Sequence, residues 1–401
     1  MRSMHALKAF FSKAFASLRR GFKSPFGKVR PPADGLLADA VRIAELPSPV
    51  AREEPRMQYV VERLKRAGID CSVDGDGNAV VAFPGPGSRD PSPVLVHACL
   101  GTRRWHPLRS LSRLGAAVAR GAGLADALPA AVLLGLAEAA AAGVFGSSRN
   151  LVFAFVAGSP ESTGAEAYAR LLDGIGARPE AAVGLRGTGL SGVSAKLLGA
   201  ARFSVSISAA TTSRTERSAP APSAVSLAAE LVGRLEGVRW DASGATSCRV
   251  VKVEAGSGFG RPPIDAEVEI ELESADQGVL DLAVEAVRAT AAKSGEGSGV
   301  AVKVAEASRL PVPDARLSAP LAAHVRAALK ELRIRAAEAP FADPSGFLSS
   351  RGIPAVSLGV SEAAEGFESD ELEIATLGSG YKLAELVIGK ALASFPAGGG
   401  S

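Results

Sequence analysis

Two hydrophobic periods alternate along the first half of the chain. Apolar residues recur every three or four positions in residues 33–46 and 52–68, which predicts amphipathic helices. Short apolar runs at 78–85 and 93–100 are typical of buried strands instead. The same alternation predicts further elements, a helix at 127–142, a strand at 150–158, a helix at 164–176 and a strand at 180–187. Strands that alternate with helices indicate an α/β protein with a mostly parallel sheet covered on both faces.

The order of elements then changes. A strand, a helix, two strands, a helix and a strand are predicted at 202–209, 223–235, 248–256, 265–274, 279–293 and 300–308. This βαββαβ order is the ferredoxin-like arrangement. Because the earlier alternation resumes afterwards, we predict one α/β domain, residues 34–197 and 309–396, interrupted by an inserted lid or dimerisation domain, residues 198–308. An edge strand of the insert could pair with a second copy, which predicts a homodimer.

Composition narrows the possible functions. The chain has 401 residues, of which 47% are hydrophobic and 22% charged, as in packed globular proteins. A net charge of +3 and an aromatic content of 5% do not favour a nucleic-acid partner. Cys71, Cys99 and Cys248 form no CxxC pair, which favours a reducing compartment such as the cytoplasm. No uninterrupted run of about 18 apolar residues predicts a membrane span.

Residues 1–33 have a composition of their own. They contain eight Lys and Arg residues and no acid. In a helix, with about 100° between successive residues, one side carries the apolar side chains Leu7, Phe10, Phe11, Phe15, Leu18 and Phe22. This pattern predicts a basic amphipathic helix, which either binds a membrane surface or partner or packs on its own domain; both interpretations stay open. Residues 397–401, which are mostly glycine, are predicted to form a flexible tail.

The stretch PVLVHACLGT, residues 93–102, poses the main chemical question. Alternate residues of a strand face the same side, so His97 and Cys99 would lie together, as a pair of metal ligands would. The simpler interpretation is a buried histidine bonded to backbone and a cysteine that acts as a small hydrophobic residue.

Seven motifs, of which this stretch contains the first, carry a family resemblance. In chain order they read VLVHACLGT, GAGLADALPAA, FAFVAGSPES, LRGTGLSGVSAKLLGAARFSVSI, APSAVSLAAEL, RGIPAVSLGV and EGFESDELE. Their order and spacing resemble the zinc exopeptidase and deacylase family of peptidase T, carboxypeptidase G, acetylornithine deacetylase and succinyl-diaminopimelate desuccinylase, with the tripeptidase-like branch nearest. The resemblance runs from about Asp34 to Phe395. It implies a three-layer α/β fold of the phosphorylase/hydrolase type and a two-zinc site whose bridging water is deprotonated by a glutamate.

Carried over residue by residue, the resemblance implies that most metal ligands are lost. The family's ligand positions fall, in chain order, on Cys99, Asp126, Ser162, Arg186 and Phe367, and the aspartate behind the first of them becomes Gly101. Asp126 is the retained bridging carboxylate, and Glu161 is the retained general base, orphaned beside Ser162. Thr212 stands where the family has a substrate-contacting histidine, so Arg186 and Thr212 are the candidate residues of a ligand cleft.

These substitutions predict a catalytically inactive relative, a pseudoenzyme without a metal cofactor, that acts by binding a peptide-like ligand or a protein partner. A guanidinium at Arg186 would repel a cation, and we expect it to pair with Asp126 or Glu161.

The alternative is an active metallo-hydrolase, a dipeptidase, tripeptidase or N-acyl amino acid deacylase, with a rebuilt zinc site. If the motif alignment slips by two residues, His97, Cys99, Asp126 and Glu161 could hold one zinc ion. A serine hydrolase is not favoured, because the GSPES turn lacks the Gly-x-Ser-x-Gly pattern. The acidic pair in SDELE predicts a helix start.

Overall fold

The chain divides into two compact units. The computed structural model describes residues 33–48, 53–86, 92–102, 111–146, 149–158, 165–193, 197–209, 223–238, 240, 246–259, 263–338, 343–366 and 369–394. The predicted helix before residue 33 and the tail lie outside these ranges. The first unit contains residues 1–196 and 314–401, and the second contains residues 197–313. The second unit ends later than the 308 expected from sequence because its last strand continues to Leu310.

The helices are, in chain order, α1 (Ala33–Glu45), α2 (Glu54–Arg66), α3 (Leu124–Ala141), α4 (Ala165–Ile175), α5 (Ala224–Glu236), α6 (Gln277–Gly295), α7 (Ala315–Glu331), α8 (Ser345–Ser350) and α9 (Leu377–Ser394). The strands are β1 (Ser72–Val73), β2 (Ala79–Phe83), β3 (Val94–Cys99), β4 (Arg113–Leu114), β5 (Val118–Gly121), β6 (Leu151–Val156), β7 (Ala181–Arg186), β8 (Gly192–Val193), β9 (Gly199–Ala209), β10 (Ser247–Ala255), β11 (Asp265–Ser274), β12 (Val300–Leu310), β13 (Ala337–Glu338), β14 (Ala355–Gly359), β15 (Ala363–Ala364) and β16 (Asp370–Glu373).

A six-stranded mixed sheet is the frame of the first unit, with strand order β1-β2-β6-β3-β7-β14. Strands β6, β3, β7 and β14 run parallel, whereas β2 pairs antiparallel with β6 and β1 pairs antiparallel with β2. Every residue of β3, β6 and β14 is buried, as expected for parallel strands that are covered on both faces. The predicted α/β class with a largely parallel sheet is therefore confirmed.

Helix α3 lies in the core of this unit. It is apolar on nearly all sides because it packs along α1 and against the sheet. Among the described residues it is the one helix long and apolar enough to cross a membrane, and 78% of it is buried inside the protein. Such burial is typical of a core helix. The sequence pattern did not flag it as a span, because Asp126 and Glu138 interrupt the apolar run.

A small second sheet, with strand order β15-β16-β5-β4, corrects one prediction. The SDELE motif forms strand β16 and not the start of a helix. Its residues alternate between buried and exposed, and Asp370 lies opposite Gly121 in the antiparallel register with β5. The fully buried Asp370 carboxylate accepts a hydrogen bond of 3.0 Å from the Ala125 amide. It therefore caps the N-terminus of α3 from a distant part of the chain.

Replacing Asp370 with alanine should lower the free energy of unfolding by about 1 to 3 kcal/mol, because the buried Ala125 amide loses its acceptor. Asp370→Asn keeps an acceptor oxygen and should cost less. Urea denaturation of both variants tests this difference. Equal losses would mean that the cap contributes little.

The second unit is an antiparallel sheet, with strand order β10-β11-β9-β12, that packs one face on α5 and α6. Strand β11 shows the two-residue period clearly. One face buries Ala266, Val268, Ile270 and Leu272, and the other carries Glu267, Glu269, Glu271 and Glu273. The unit has the βαββαβ order that the sequence pattern predicts. Its outer strands, β10 and β12, each contain a register shift.

Candidate functional site

Three of the predicted site positions lie on elements that meet at the carboxyl end of the parallel strands. Cys99 ends β3, Arg186 ends β7 and Asp126 lies in the first turn of α3. Ligand sites of open α/β sheets occur at this edge. The other predicted positions, Glu161, Ser162, Thr212 and Phe367, lie outside the described residues.

Asp126 is half-buried and bonded within the chain. The hydroxyl of the buried Thr102, three residues beyond Cys99, donates a hydrogen bond to Asp126 Oδ2. The turn before α3 makes this contact possible, because Gly123 has φ +69° and a Cβ there would lie 3.0 Å from the Thr102 side chain. The second glycine of the GAGLAD motif, Gly123, is thus explained by the turn into the helix.

His97 and Cys99 share one face of β3 as predicted, but His97 points into a buried polar cluster beneath the sheet. The Tyr168 hydroxyl lies 2.9 Å from His97 Nδ1, and Ser345 Oγ lies 3.5 Å from Nε2. The simpler interpretation assumed that His97 bonds to backbone. The structure shows that it bonds to side chains instead. Burial lowers the pKa of His97 to about 3, so the imidazole is neutral at physiological pH.

The same cluster surrounds Cys99. Its Sγ lies 3.8 Å from the Tyr168 hydroxyl, and the side chain is only 7% exposed. Burial raises the pKa of Tyr168 well above its ordinary value, so this hydroxyl keeps its proton.

A buried arginine lies directly beneath the loop that follows β3. No motif in the sequence indicated this residue. Arg56 of α2 is fully buried. Its Nη1 donates to the Leu100 carbonyl at 2.8 Å, its Nη2 to the Ala44 carbonyl at 3.3 Å and its Nε to the Leu46 carbonyl at 3.4 Å. The one signal in the sequence is its spacing, because Arg56 shares the buried stripe of α2 with Val60 and Leu64.

The charge of Arg56 acts on the candidate site. Burial lowers the pKa of the guanidinium to about 10, while the carboxylates of Asp126 and Glu53 act in the opposite direction. Arg56 consequently stays charged at neutral pH. The site therefore contains a positive charge that belongs to the chain itself.

The described residues do not by themselves form the two-zinc site that the resemblance implies. Within the described ranges, no three His, Cys, Asp or Glu side chains lie close enough to hold a metal ion. Asp126 is bonded to Thr102, and His97 is bonded to Tyr168 and Ser345. Pairing of Arg186 with Asp126 or Glu161 stays a prediction.

Several solved structures resemble this chain over 90 to 92% of its length. A tripeptidase from Staphylococcus aureus has a TM-score of 0.66 and 16% identity, with 92% of this chain and 100% of that chain covered. A dinuclear metal-binding peptidase of the M20 family from Bacillus subtilis has a TM-score of 0.57 and 15% identity, with 90% and 99% covered. This chain has the fold of M20-family peptidases and amidases. An amidase of the hydantoinase/carbamoylase family from Burkholderia vietnamiensis shares the M20 fold, with a TM-score of 0.68, 14% identity, and 92% and 100% coverage.

The fold resemblance inferred from the motifs is thus confirmed. Comparison of the sequence with protein-family models and with curated proteins finds no match. The identities of 14 to 16% carry the M20 fold alone. The chemistry of this chain has to be argued from its own residues.

Proposed function

We propose that this chain is a non-catalytic relative of the M20 metallopeptidases and amidases that acts by binding. The observation that carries the proposal is the environment of Asp126. This carboxylate, which the motif alignment places at the metal-bridging position, is bonded to Thr102 and lies in the field of the buried Arg56. A protein cation therefore occupies part of the electrostatic role that a metal would have.

The remaining substitutions support the same conclusion. A catalytic zinc ion needs about three protein ligands. By the motif alignment, Asp126 and Cys99 are the only ligand positions with metal-binding side chains, and Arg186 adds positive charge. Cys99 faces the Tyr168 hydroxyl in a buried cluster. We therefore propose that the chain needs no metal cofactor and that Glu161 has no metal-bound water to activate.

The fold suggests which ligand would bind. Fold neighbours are a tripeptidase and amidases, so a peptide-like or acylated amino acid ligand is the class we propose. Arg186 and Thr212 would contribute to its binding. The proposed partners are a second copy, through an edge strand of the inserted domain, and a membrane surface or protein at the basic residues 1–33. A cytoplasmic location, peripheral where that segment binds membrane, belongs to the same proposal.

Metal content and turnover test the proposal directly. The full-length, tag-free protein and a Cys99→Ala variant are purified from zinc- and manganese-supplemented cultures and analysed by elemental mass spectrometry. We expect far less than one metal per chain in both proteins. Tripeptides and N-acyl amino acids should show no more turnover with wild-type protein than with a Glu161→Ala variant.

The same compounds should raise the melting temperature if the cleft binds them, because a ligand at 100 times its Kd stabilises by about 2.7 kcal/mol. Stoichiometric metal in the wild-type protein would contradict the proposal. Its loss from Cys99→Ala would assign that metal to the rebuilt zinc site of the alternative hydrolase.

A further inference from the structure

The inference concerns Arg56 and rests on the proposed function. Arg56 is fully buried on a helix that packs beneath the loop after β3, and its guanidinium binds three backbone carbonyls. One of these carbonyls belongs to Leu100, which directly follows the Cys99 position. The guanidinium therefore holds the start of the loop that directly follows the first metal-ligand position of the motif alignment.

Hydrogen bonding alone does not explain why this residue is charged. Three carbonyl acceptors could be satisfied by neutral donors, whereas burying a guanidinium costs desolvation energy. Buried charges persist where opposite charges compensate them. The loop that binds Arg56 through the Leu100 carbonyl also carries Thr102, whose hydroxyl donates to the Asp126 carboxylate. Asp126, at the bridging position, and Glu53, at the start of α2, act on the Arg56 guanidinium as opposite charges.

We propose that Arg56 is a built-in cation that replaces the charge of the lost metal, so that the carboxylates at this edge of the sheet are stable in a metal-free protein. In a metal-dependent site, cations neutralise the ligand carboxylates and fix the loops that carry them. In this chain Arg56 does both. Its charge neutralises the carboxylates, and its hydrogen bond to the Leu100 carbonyl fixes the loop. Folding is consequently independent of divalent metal.

A matched pair of variants separates the charge from the hydrogen bonds. Arg56→Lys keeps the positive charge and loses the planar fork of donors, and Arg56→Gln keeps an N–H donor and loses the charge. The full-length, tag-free wild type and both variants are treated with EDTA. Their melting temperatures are then measured with and without Mn²⁺ or Zn²⁺.

We expect a divalent cation to leave the melting temperature of the wild type unchanged, and likewise that of Arg56→Lys. Arg56→Gln should melt lower and should regain about 3 °C or more when the cation is added, because a metal can then neutralise the carboxylates. The same recovery in Arg56→Lys, or none in Arg56→Gln, would overturn the inference. If Arg56→Gln does not fold without metal, its recovery on refolding with Mn²⁺ is the expected result, and failure to recover counts against the inference.

The two proposals fail in different ways. Stoichiometric metal in the wild-type protein would remove the proposed function and this inference together. A metal-free wild type whose Arg56→Gln variant ignores cations would remove only the role assigned to Arg56.

Discussion

Replacing Gly187 with alanine is expected to destabilise the first unit by about 3 kcal/mol or more. A Cβ at this position, directly after Arg186, would lie 1.8 Å from the Ala125 carbonyl oxygen and 2.5 Å from its carbon. The obstacle is backbone of the first turn of α3, which cannot rotate away as a side chain can. The helix or the end of β7 must therefore shift, and Asp126 would move with the helix.

Urea denaturation of Gly187→Ala measures this loss, and Gly389→Ala is the matched control. Gly389 lies within α9, and a Cβ there meets nothing within 4 Å. That substitution should stabilise the protein by about 0.5 to 1 kcal/mol through helix propensity. If the two variants were equally stable, the close approach of α3 to β7 would be absent in solution.

Acid is expected to destabilise the protein through His97. Its pKa falls from the ordinary 6.5 to about 3 because the imidazole is buried. Between these values the unfolded chain binds a proton that the folded chain does not, so stability is complete above pH 6.5 and is lost as the pH falls towards 3. The shift corresponds to a loss on the order of 4 to 5 kcal/mol over that whole range.

A His97→Asn variant isolates this contribution from the other groups that titrate in acid. Asparagine offers the Tyr168 hydroxyl an acceptor and cannot be protonated in this range. Cys99, Tyr168 and Ser345 face the same position and stay unchanged. Unfolding free energies measured at pH 7 and pH 4.5 should fall by about 2 to 3 kcal/mol more in the wild type. Equal falls would place the titrating group elsewhere.

The long elements of the fold were predictable from a clear period or from a continuous apolar run. The strand predicted at 265–274 is β11 to the residue and has the period of two, and the apolar helix predicted at 127–142 is α3, which begins three residues earlier at Leu124. Strands β4 and β16 were not recognised, since two to four residues are too short to establish a period. Both pair with β5, and β16 does so from a distant part of the chain.

The order of the motifs along the sequence predicted which residues belong to the candidate site, but not the side chains that contact them. Cys99, Asp126 and Arg186 could be placed at one edge of the sheet, because Cys99 and Arg186 lie near the ends of predicted strands and Asp126 directly precedes a predicted helix. The partners of His97 could not, because Tyr168 and Ser345 lie 71 and 248 residues away in sequence. Arg56 gave no chemical signal, since the acceptors of its guanidinium are main-chain carbonyls, which no side-chain pattern reveals.

The interruption of the first unit by the second affects how the protein is made. Helix α3 leaves the ribosome long before α7, β14 and α9, which complete the core around it, because the whole second unit is synthesised in between. At typical elongation rates this delay is on the order of ten seconds. Throughout it, the nascent chain contains a helix that is long and apolar enough to cross a membrane while its cover is incomplete. The native packing of this helix therefore forms only after the second unit has been synthesised.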